Sequence, residues 1–327
     1  MSEARFSVTQ YEDAHTFAQA VQPLIAIDRA RSTIAATVLH GVIAAPDDEH
    51  LPVLVVVRDD AEPVGIALAG ASAAGGALVT QLMSERLSAD ERDDVGTLLA
   101  SAFLGLDPPP AVVTGPADDS RAFAAAYCAA TGGSFDDDMR LLLYRLGELI
   151  DPVGVRGSAR VAQIQEPQDL ELLGLWRMRF AQATGGFPPL TEPDPEGARL
   201  AAQRGATSLF WTVDGSPVAW AAHSAVSGEM ARIGPVYTPE TQRGNGYAAA
   251  VTAAAARSAR AAGARHVVLF TDAANPTSNG IYRRLGFVER GNFAEIAISR
   301  GLDHALPGEV RRLPGEDRLR PGEDRLR

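Results

Sequence analysis

The sequence predicts an α/β protein made of two similar halves, and three observations lead to that fold class. Short apolar runs alternate with helical segments along most of the 327 residues, which is the pattern of strands packed against helices. The same order of elements occurs twice at an offset of about 155 residues, so that Asp60 falls near Asp214 and Tyr127 falls on Tyr282. In the second half, an apolar run that ends at Tyr237 enters a glycine turn, and an alanine-rich helix follows.

Residues 1–150 are predicted to form the first half. Apolar runs bounded by turn residues predict strands at 51–58, 64–69, 77–83, 111–114 and 139–146. One helix is expected to begin at Ser88 or Asp90, since both are good N-cap residues, and to run to about Phe103. A second helix is expected at residues 120–131.

Residues 151–158 are predicted to link the halves, because they lie in a stretch rich in glycine that also contains Pro152. The second half, residues 159–300, is expected to contain helices at 167–181, 248–262 and 277–285, and strands at 209–213, 217–224, 230–237, 266–271 and 292–299. The polar segment 184–197 predicts a loop. Residues 301–327 end in the sequence PGEDRLR, present twice, and are predicted to be disordered because such a composition cannot form a core.

Charge and composition limit the partners and the compartment. The net charge of −11 disfavours a nucleic-acid partner held through its phosphates and mildly favours a cationic substrate. No apolar run approaches the roughly 20 residues of a membrane-spanning helix, and the first residues lack the pattern of a signal peptide. The one cysteine, Cys128, agrees with a reducing compartment. We therefore expect a soluble cytoplasmic protein, a monomer or homodimer, without a membrane or nucleic-acid partner.

The residue inventory disfavours several kinds of catalysis. All 30 basic residues are arginine, which rules out a Schiff-base lysine or a P-loop lysine. The 6 histidines are scattered without metal-ligand spacing, so no metal is expected. The sequence has no G-x-S-x-G turn of a serine hydrolase.

The most informative segment is the glycine turn between Val236 and Ala248. A strand, a glycine turn and a helix expose backbone N–H groups at the positive end of a helix dipole, which suits a phosphate. Read as Gly244-x-Gly246 followed by alanine, the turn approaches the dinucleotide fingerprint, and Asp272 ends the next strand where a ribose-binding acid would lie. That fingerprint opens a large doubly wound domain, however, and only about 55 residues of the second half remain.

Two motifs resemble those of the GCN5-related N-acetyltransferases, the GNAT family. Arg243-x-x-Gly246-x-Ala248 resembles the family's motif A, and the segment 275–287 resembles its N-x-x-(S/A)-x-x-x-Y-x-x-x-G-F pattern. Both occur in the family's order with the expected helix and strand between them, and the resemblance covers residues 160–299. It implies a mixed, mostly antiparallel central sheet flanked by helices, and two such domains in tandem.

The resemblance implies acetyl-CoA as the cofactor. Backbone N–H groups from Gly244 to Ala248 would hold its pyrophosphate, and the strand backbone before the turn would pair with the pantetheine arm by strand-like addition. Asn275 would contact the pantetheine amide, or it caps the next helix. The complete set of expected cofactor-binding residues is Val236, Tyr237, Thr238, Arg243, Gly244, Asn245, Gly246, Tyr247, Ala248, Asn275 and Ser278.

Two residues are expected to carry proton transfer. Tyr282 occupies the tyrosine of the second motif, and a phenol of pKa about 10 can donate a proton to a departing thiolate of pKa about 8.5. Glu229, just before the strand that leads to the turn, is the expected base. Glu192, Asp194 and Asp272 are alternatives for the base.

The first half is expected to be a degenerate, non-catalytic copy. Residues 88–96 take the place of the glycine turn there and carry four acidic residues, which would repel a pyrophosphate. The expected function is acetyl-CoA-dependent N-acetyl transfer to a primary amine, a small molecule or a peptide, by direct attack in a ternary complex. The alternatives are a non-catalytic acyl-CoA-binding regulatory protein and an NAD(P)-binding enzyme, and the sequence leaves the acceptor open.

Overall fold

The structure of the chain is a computed structural model that describes residues 5–44, 53–70, 77–185 and 190–299. The tail at 301–327, predicted to be disordered, lies outside the described residues. So do the first two residues of the strand predicted at 51–58 and residues 186–189 of the predicted loop.

All the described strands belong to one continuous sheet. In chain order they are β1 (Phe6–Tyr11), β2 (Val53–Asp59), β3 (Glu62–Gly70), β4 (Ala77–Met83), β5 (Pro110–Pro116), β6 (Ser134–Leu146), β7 (Ser158–Val161), β8 (Thr207–Val213), β9 (Ser216–His223), β10 (Met230–Tyr237), β11 (His266–Asp272) and β12 (Phe287–Ser299). The pairs β4–β5 and β10–β11 are parallel, and the other neighbouring pairs are antiparallel. The expected mixed, mostly antiparallel sheet is confirmed.

The strand order interleaves the two halves of the chain. It runs β1-β2-β3-β4-β5-β12-β6-β11-β10-β9-β8-β7 across the sheet. The last described strand, β12, therefore lies between two first-half strands, and β6 lies between two second-half strands. The segment predicted as a linker, residues 151–158, follows β6 and leads into β7. The division of the chain into two domains at this segment remains a prediction.

Helices cover both faces of the sheet. They are α1 (Ala14–Ile27), α2 (Thr33–Ala44), α3 (Ala89–Ser101), α4 (Ala117–Thr131), α5 (Pro167–Thr184), α6 (Pro195–Gln203), α7 (Tyr247–Ala261) and α8 (Pro276–Arg284). No helix in the described ranges is long and apolar enough to cross a membrane.

Alternation along the strands assigns each helix to a face, because successive side chains of a strand point to opposite sides. Ile66 packs with α1 and α2, whereas its neighbour Ala67 packs with α3 and α4. In β9, Trp220 packs with α5 and α6, whereas Ala219 packs with α7. We call the side covered by α3, α4, α7 and α8 the α7 face, and the side covered by α1, α2, α5 and α6 the α5 face.

The two halves also share a hydrophobic cluster on the α5 face. Ala30, just before α2, and Ile34, in its first turn, pack with Met230, Val268 and Phe293 from second-half strands. A first-half helix thus covers the strands that lead toward the glycine turn.

Several elements were not predicted from the sequence. Neither α1 nor α2 was expected, although Asp13 caps α1 by accepting a hydrogen bond from the Thr16 N–H at 2.7 Å. The strands β1 and β7 were also missed. The loop predicted at 184–197 is wrong at its end, because Asp194 caps α6 and the helix begins at Pro195.

Candidate functional site

A fork between two parallel strands lies beside the glycine turn. β10 pairs with β11 from Met230 to Ile233 and no further, while β11 continues to Asp272 against β6. A register shift of β10 against β9 follows Ile233. The last residues of β10, Val236 and Tyr237, keep β9 as a partner on one side and have no β11 partner on the other. Their backbone on the fork side is available to an extended ligand.

The glycine turn closes into α7 without any side-chain cap. Gly244 and Gly246 have φ of +82° and +78°, a left-handed conformation that glycine adopts at little cost. Gly246 is the N-cap residue of α7 and supplies no side-chain hydrogen bond, and the first helical bond runs from the Ala250 N–H to the Gly246 carbonyl at 3.0 Å. The N–H groups of the first helical turn therefore lack helical partners, which is the arrangement that binds phosphate.

Polar side chains around the turn leave some hydrogen-bonding capacity unused. Arg243 donates from Nε to the Thr238 carbonyl at 3.3 Å and pairs with Glu240 at 3.6 Å, and its side chain is 55% exposed. Asn245 donates from Nδ2 to the Gln242 carbonyl at 3.2 Å. The buried Thr238 hydroxyl has no hydrogen-bond partner among the described residues. An unpartnered buried hydroxyl is costly, and a polar ligand at this place would satisfy it.

The second motif forms the connection from β11 to α8. Asn275 is the N-cap residue of α8, and its Oδ1 accepts a hydrogen bond from the Ser278 N–H at 3.0 Å. Asn279 is 5% exposed and donates from Nδ2 to the carbonyls of Asp272 and Asn275 at 3.0 and 2.8 Å. Sequence reasoning missed Asn279. The available signal was an asparagine inside a predicted helix, where that residue type is unfavourable unless its side chain bonds the backbone.

Tyr282 lies at the base of the fork on the α7 face. It is 8% exposed and packs in one cluster with Ile233 and Leu269, the last pair that joins β10 to β11. The Tyr144 and Phe287 rings lie 6.4 and 6.0 Å from its ring. Desolvation by burial raises the pKa of Tyr282 to about 12. No described residue forms a hydrogen bond with its hydroxyl, so this group is free to act on a ligand.

Glu229 lies away from the fork. It precedes β10, four residues before Ile233, which corresponds to about 13 Å along a strand. Its carboxylate forms ion pairs with Arg29 at 3.3 Å and Arg265 at 3.0 Å. Its φ of +67° and its carbonyl, which accepts from the His266 N–H at 3.0 Å, give it a turn-forming role. The structure thus does not bring Glu229 beside Tyr282, and its role as a base remains a prediction.

Two of the alternative bases have local structural partners. Asp194 accepts from the Gly197 N–H at 2.8 Å and pairs with Arg177 at 2.9 Å, which joins α6 to α5. Asp272 accepts from the Ala274 N–H at 2.8 Å within the connection to α8. Glu192 is exposed.

The corresponding fork of the first half is closed by its own side chains. β4 pairs with β5 in parallel up to Thr80 and Thr114. Just beyond, Gln81 donates from Nε2 to the Ser120 hydroxyl at 2.8 Å. A Cβ on Gly115 would lie only 2.4 Å from the Gln81 carbonyl oxygen, so glycine there allows the two strands to stay close.

A buried carboxylate completes this closure. Asp119 is 0% exposed, and its Oδ2 accepts from the Met83 N–H at 2.9 Å. Arg31 and Arg92 donate to the same carboxylate at 2.6 and 2.8 Å. The Asp119 side chain therefore accepts a hydrogen bond from the backbone at the end of β4. The corresponding end of β10 in the second half is left open.

The start of α3 also differs from the start of α7. The Ser88 hydroxyl accepts from the Glu91 N–H, and the Glu91 carboxylate accepts from the Ser88 N–H, which together form a capping box. This cap uses N–H groups that remain free at α7.

Comparison with known proteins identifies the second half. A family model described as the acetyltransferase (GNAT) family matches residues 172–287, which include the fork, the glycine turn and α8. The chain carries a GNAT acetyltransferase domain. It is accordingly an acyltransferase, and acetyltransferases of this family generally use acetyl-CoA. No curated protein sequence matches the chain significantly.

Solved structures show the same fold over nearly the whole chain. A tandem GNAT protein from the clavulanic acid biosynthesis pathway is similar with a TM-score of 0.56 and 16% identity, over 90% of this chain and 98% of that one. A GCN5-related N-acetyltransferase from Sphaerobacter thermophilus has a TM-score of 0.57 and 17% identity, over 92% and 98% of the two chains. At these identities the similarity shows the fold alone. That fold consists of two GNAT-like units in tandem.

Proposed function

We propose that the chain is an acetyl-CoA-dependent N-acetyltransferase that acetylates a primary amine by direct attack within a ternary complex. The observation that carries the proposal is the open β10–β11 fork, which leads directly to an uncapped helix start. The family match at the same residues supports this assignment.

The residues at the fork fit a phosphorylated, extended cofactor. N–H groups from Gly244 to Ala248 would hold the pyrophosphate, with Arg243 adding charge. The free edge of Val236 and Tyr237 would hydrogen-bond the amides of the pantetheine arm. Additional polar contacts would come from Thr238, Asn245 and Tyr247, and from Asn275 and Ser278 at the start of α8.

Asn275 can combine two roles. Its Oδ1 is used by the helix cap, while its Nδ2 donors form no hydrogen bond with the described residues and can bind a pantetheine carbonyl. When bound, acetyl-CoA supplies the acetyl group as a thioester, and coenzyme A is the thiol that leaves.

Tyr282 would act on the sulfur as charge develops there. Its pKa of about 12 keeps the proton on the phenol oxygen throughout the working pH range. Complete proton transfer to a thiolate of pKa about 8.5 is then uphill by roughly 3.5 pKa units, or about 5 kcal/mol. The first contribution of Tyr282 is therefore a hydrogen bond to the sulfur. Over the whole reaction the attacking nitrogen loses one proton and the sulfur gains one.

Only the second half would bind the cofactor. Asp119 and Gln81 fill the first-half fork, and the capping box occupies the start of α3. This supports a degenerate first half, but for a different reason from the one expected. The acid that fills the fork is the buried Asp119, whereas Glu91 of the expected segment serves the helix cap and pairs with Arg5.

A thiol-release assay with acetyl-CoA over an amine library tests the proposal. Wild-type protein is expected to release thiol with at least one class of amine, while Tyr282→Phe binds CoA normally and turns over more slowly. Tyr127→Phe, which changes a buried tyrosine of the first half, is the matched control and should leave turnover unchanged. Binding of CoA without thiol release from any amine would instead identify an acyl-CoA-binding protein. Binding of NAD(H) without CoA would identify a dinucleotide site.

A further inference from the structure

A cavity lies between the two halves on the α5 face. It has a volume of about 190 Å³ and is lined by α1, α2, the β9–β10 loop and the start of β10. Its polar lining includes Gln22, Arg29, Thr33, Ser224 and Arg232. Glu229, between the lining residues Gly228 and Met230, already pairs with Arg29 at 3.3 Å, so Arg232 is the lining cation without a carboxylate partner among the described residues. The cavity is therefore suited to an anionic group.

Arg232 is the decisive residue in this lining. Its main-chain N–H donates to the Ser224 hydroxyl at 3.1 Å, but its guanidinium has no ion pair or hydrogen bond within the described part of the chain. Burial lowers the pKa of Arg232, yet an arginine remains charged at any working pH. Arg232 is only partly exposed, so part of its charge is desolvated, and such a charge is normally matched by a counter-ion.

Other poorly exposed arginines of this chain are matched in that way. The side chains of Arg31 and Arg92 are 15% and 17% exposed, and both pair with Asp119. Arg232 contrasts with them because its guanidinium has no carboxylate partner among the described residues. Arg145 adds positive charge on the same face, since Val268 of β11 lies in register with Arg232 on one side and with Arg145 on the other.

Arg232 also lies next to the fork. It immediately precedes Ile233, where β10 and β11 separate, so its Cα lies one residue, about 3.3 Å of strand, from that point. Ile233 packs with Tyr282 on the α7 face. Arg232 consequently points to the α5 face, opposite to Tyr282. The cavity lies on the α5 face beside Arg232, so an acceptor seated there would approach the fork from that side.

We propose that Arg232 binds a carboxylate of the acyl acceptor, so that the substrate is a small amine that also carries an acidic group. This inference rests on the proposed acetyl transfer at the fork. A cavity of about 190 Å³ is large enough for a short amino-acid chain. The local charge thus selects against the cationic acceptor that the net charge of −11 mildly favours.

The first experiment measures anion binding without acetyl-CoA. Acetate and glutarate are titrated against the full chain, and the melting temperature is followed. Wild-type protein should be stabilised saturably, and Arg232→Gln should weaken binding about tenfold or more, as expected for the loss of a charge-assisted hydrogen bond. Arg86→Gln, which removes an exposed arginine that pairs with Glu62 outside the cavity, should bind like wild type. Equal binding by all three proteins would overturn the anion site.

The second experiment compares acceptors of one chain length: pentylamine, the ω-amino acid and the terminal diamine. Wild-type protein should favour the amino acid in kcat/KM by about tenfold or more, and Arg232→Gln should abolish the preference by raising KM for the amino acid alone. An equal loss with all three acceptors would make Arg232 a structural residue and refute the proposal. Anion binding through Arg232 without any acceptor preference would identify a separate small anion and refute the acceptor assignment.

These outcomes separate the inference from the proposed function. If no amine is acetylated although CoA binds, acetyl transfer is refuted, and so is the assignment of an acceptor carboxylate to Arg232. Transfer to pentylamine with no role for Arg232 would leave acetyl transfer intact and overturn the inference alone. Arg232→Lys, which keeps the charge, should retain part of the preference and thereby show that the loss in Arg232→Gln reflects charge.

Discussion

Replacing Asp119 by asparagine tests whether a buried carboxylate closes the first-half fork. Asp119 is 0% exposed and accepts from the Met83 N–H, Arg31 and Arg92 at 2.9, 2.6 and 2.8 Å. The Asp119→Asn side chain would keep the shape, but it would lose the charge and present donors to two guanidinium groups. Removing one partner of a buried ion pair costs about 3–5 kcal/mol, a large share of a typical folding free energy of about 5–15 kcal/mol.

Urea unfolding followed by tryptophan fluorescence and far-UV circular dichroism measures this effect. Asp119→Asn should shift the unfolding midpoint to clearly lower urea. Asp118→Asn is the matched control, because that side chain is 82% exposed and pairs with Arg121 on the helix surface, and it should change the midpoint far less. A loss below about 1 kcal/mol in Asp119→Asn would show that the network contributes little, and our account of the closed fork would then be wrong.

Three further substitutions examine the titrating groups. Because the pKa of Tyr282 is raised to about 12, its hydroxyl stays protonated below that pH. Tyr282→Phe should therefore lower kcat by about 10²-fold while leaving the shape of the pH–rate profile unchanged. If the substitution removed the fall in rate at high pH, this assignment would be contradicted. Glu229→Gln should retain most of the activity, since its carboxylate already pairs with Arg29 and Arg265; a loss of about 10²-fold or more would restore it as the base. Burial raises the pKa of Glu295, so the folded state binds more protons than the unfolded state between the two pKa values. Wild-type stability therefore rises as the pH falls through this window. Glu295→Gln should have a higher melting temperature than wild type at about pH 8 and lose that advantage by about pH 4. A difference in melting temperature that does not change with pH would refute the assignment.

The elements around the glycine turn could be predicted closely because each carries local signals. The strand from Met230 to Tyr237 has the predicted bounds, and α7 and α8 begin within one residue of their predicted starts. Gly246 marks the entry to α7 by its backbone conformation, and Asn275 marks the entry to α8 by its cap. Such signals depend on neighbours in sequence and need no knowledge of the fold.

The missed features depend on contacts between distant residues. The insertion of β12 between β5 and β6 is set by pairing of segments that lie far apart in the sequence, which no local pattern encodes. Asp119 follows another aspartate at the start of a helix, a pattern typical of a solvated first turn, and only the arrival of Arg31 and Arg92 makes it a core residue. Arg232 interrupts an apolar strand, yet only the fold shows that it lines a cavity with α1 and α2 and has no partner for its guanidinium among the described residues.

Equilibrium titration of the full chain with CoA tests the central claim, that the fork and turn of the second half form one cofactor site. We expect one CoA per chain, with Gly246→Val weakening binding about tenfold or more, because a β-branched residue is strained at a φ of +78°. Gly132→Val, at a φ of +71° after α4, introduces the same strain in the first half and should leave CoA affinity unchanged. Two CoA per chain, or wild-type affinity in Gly246→Val, would contradict the account.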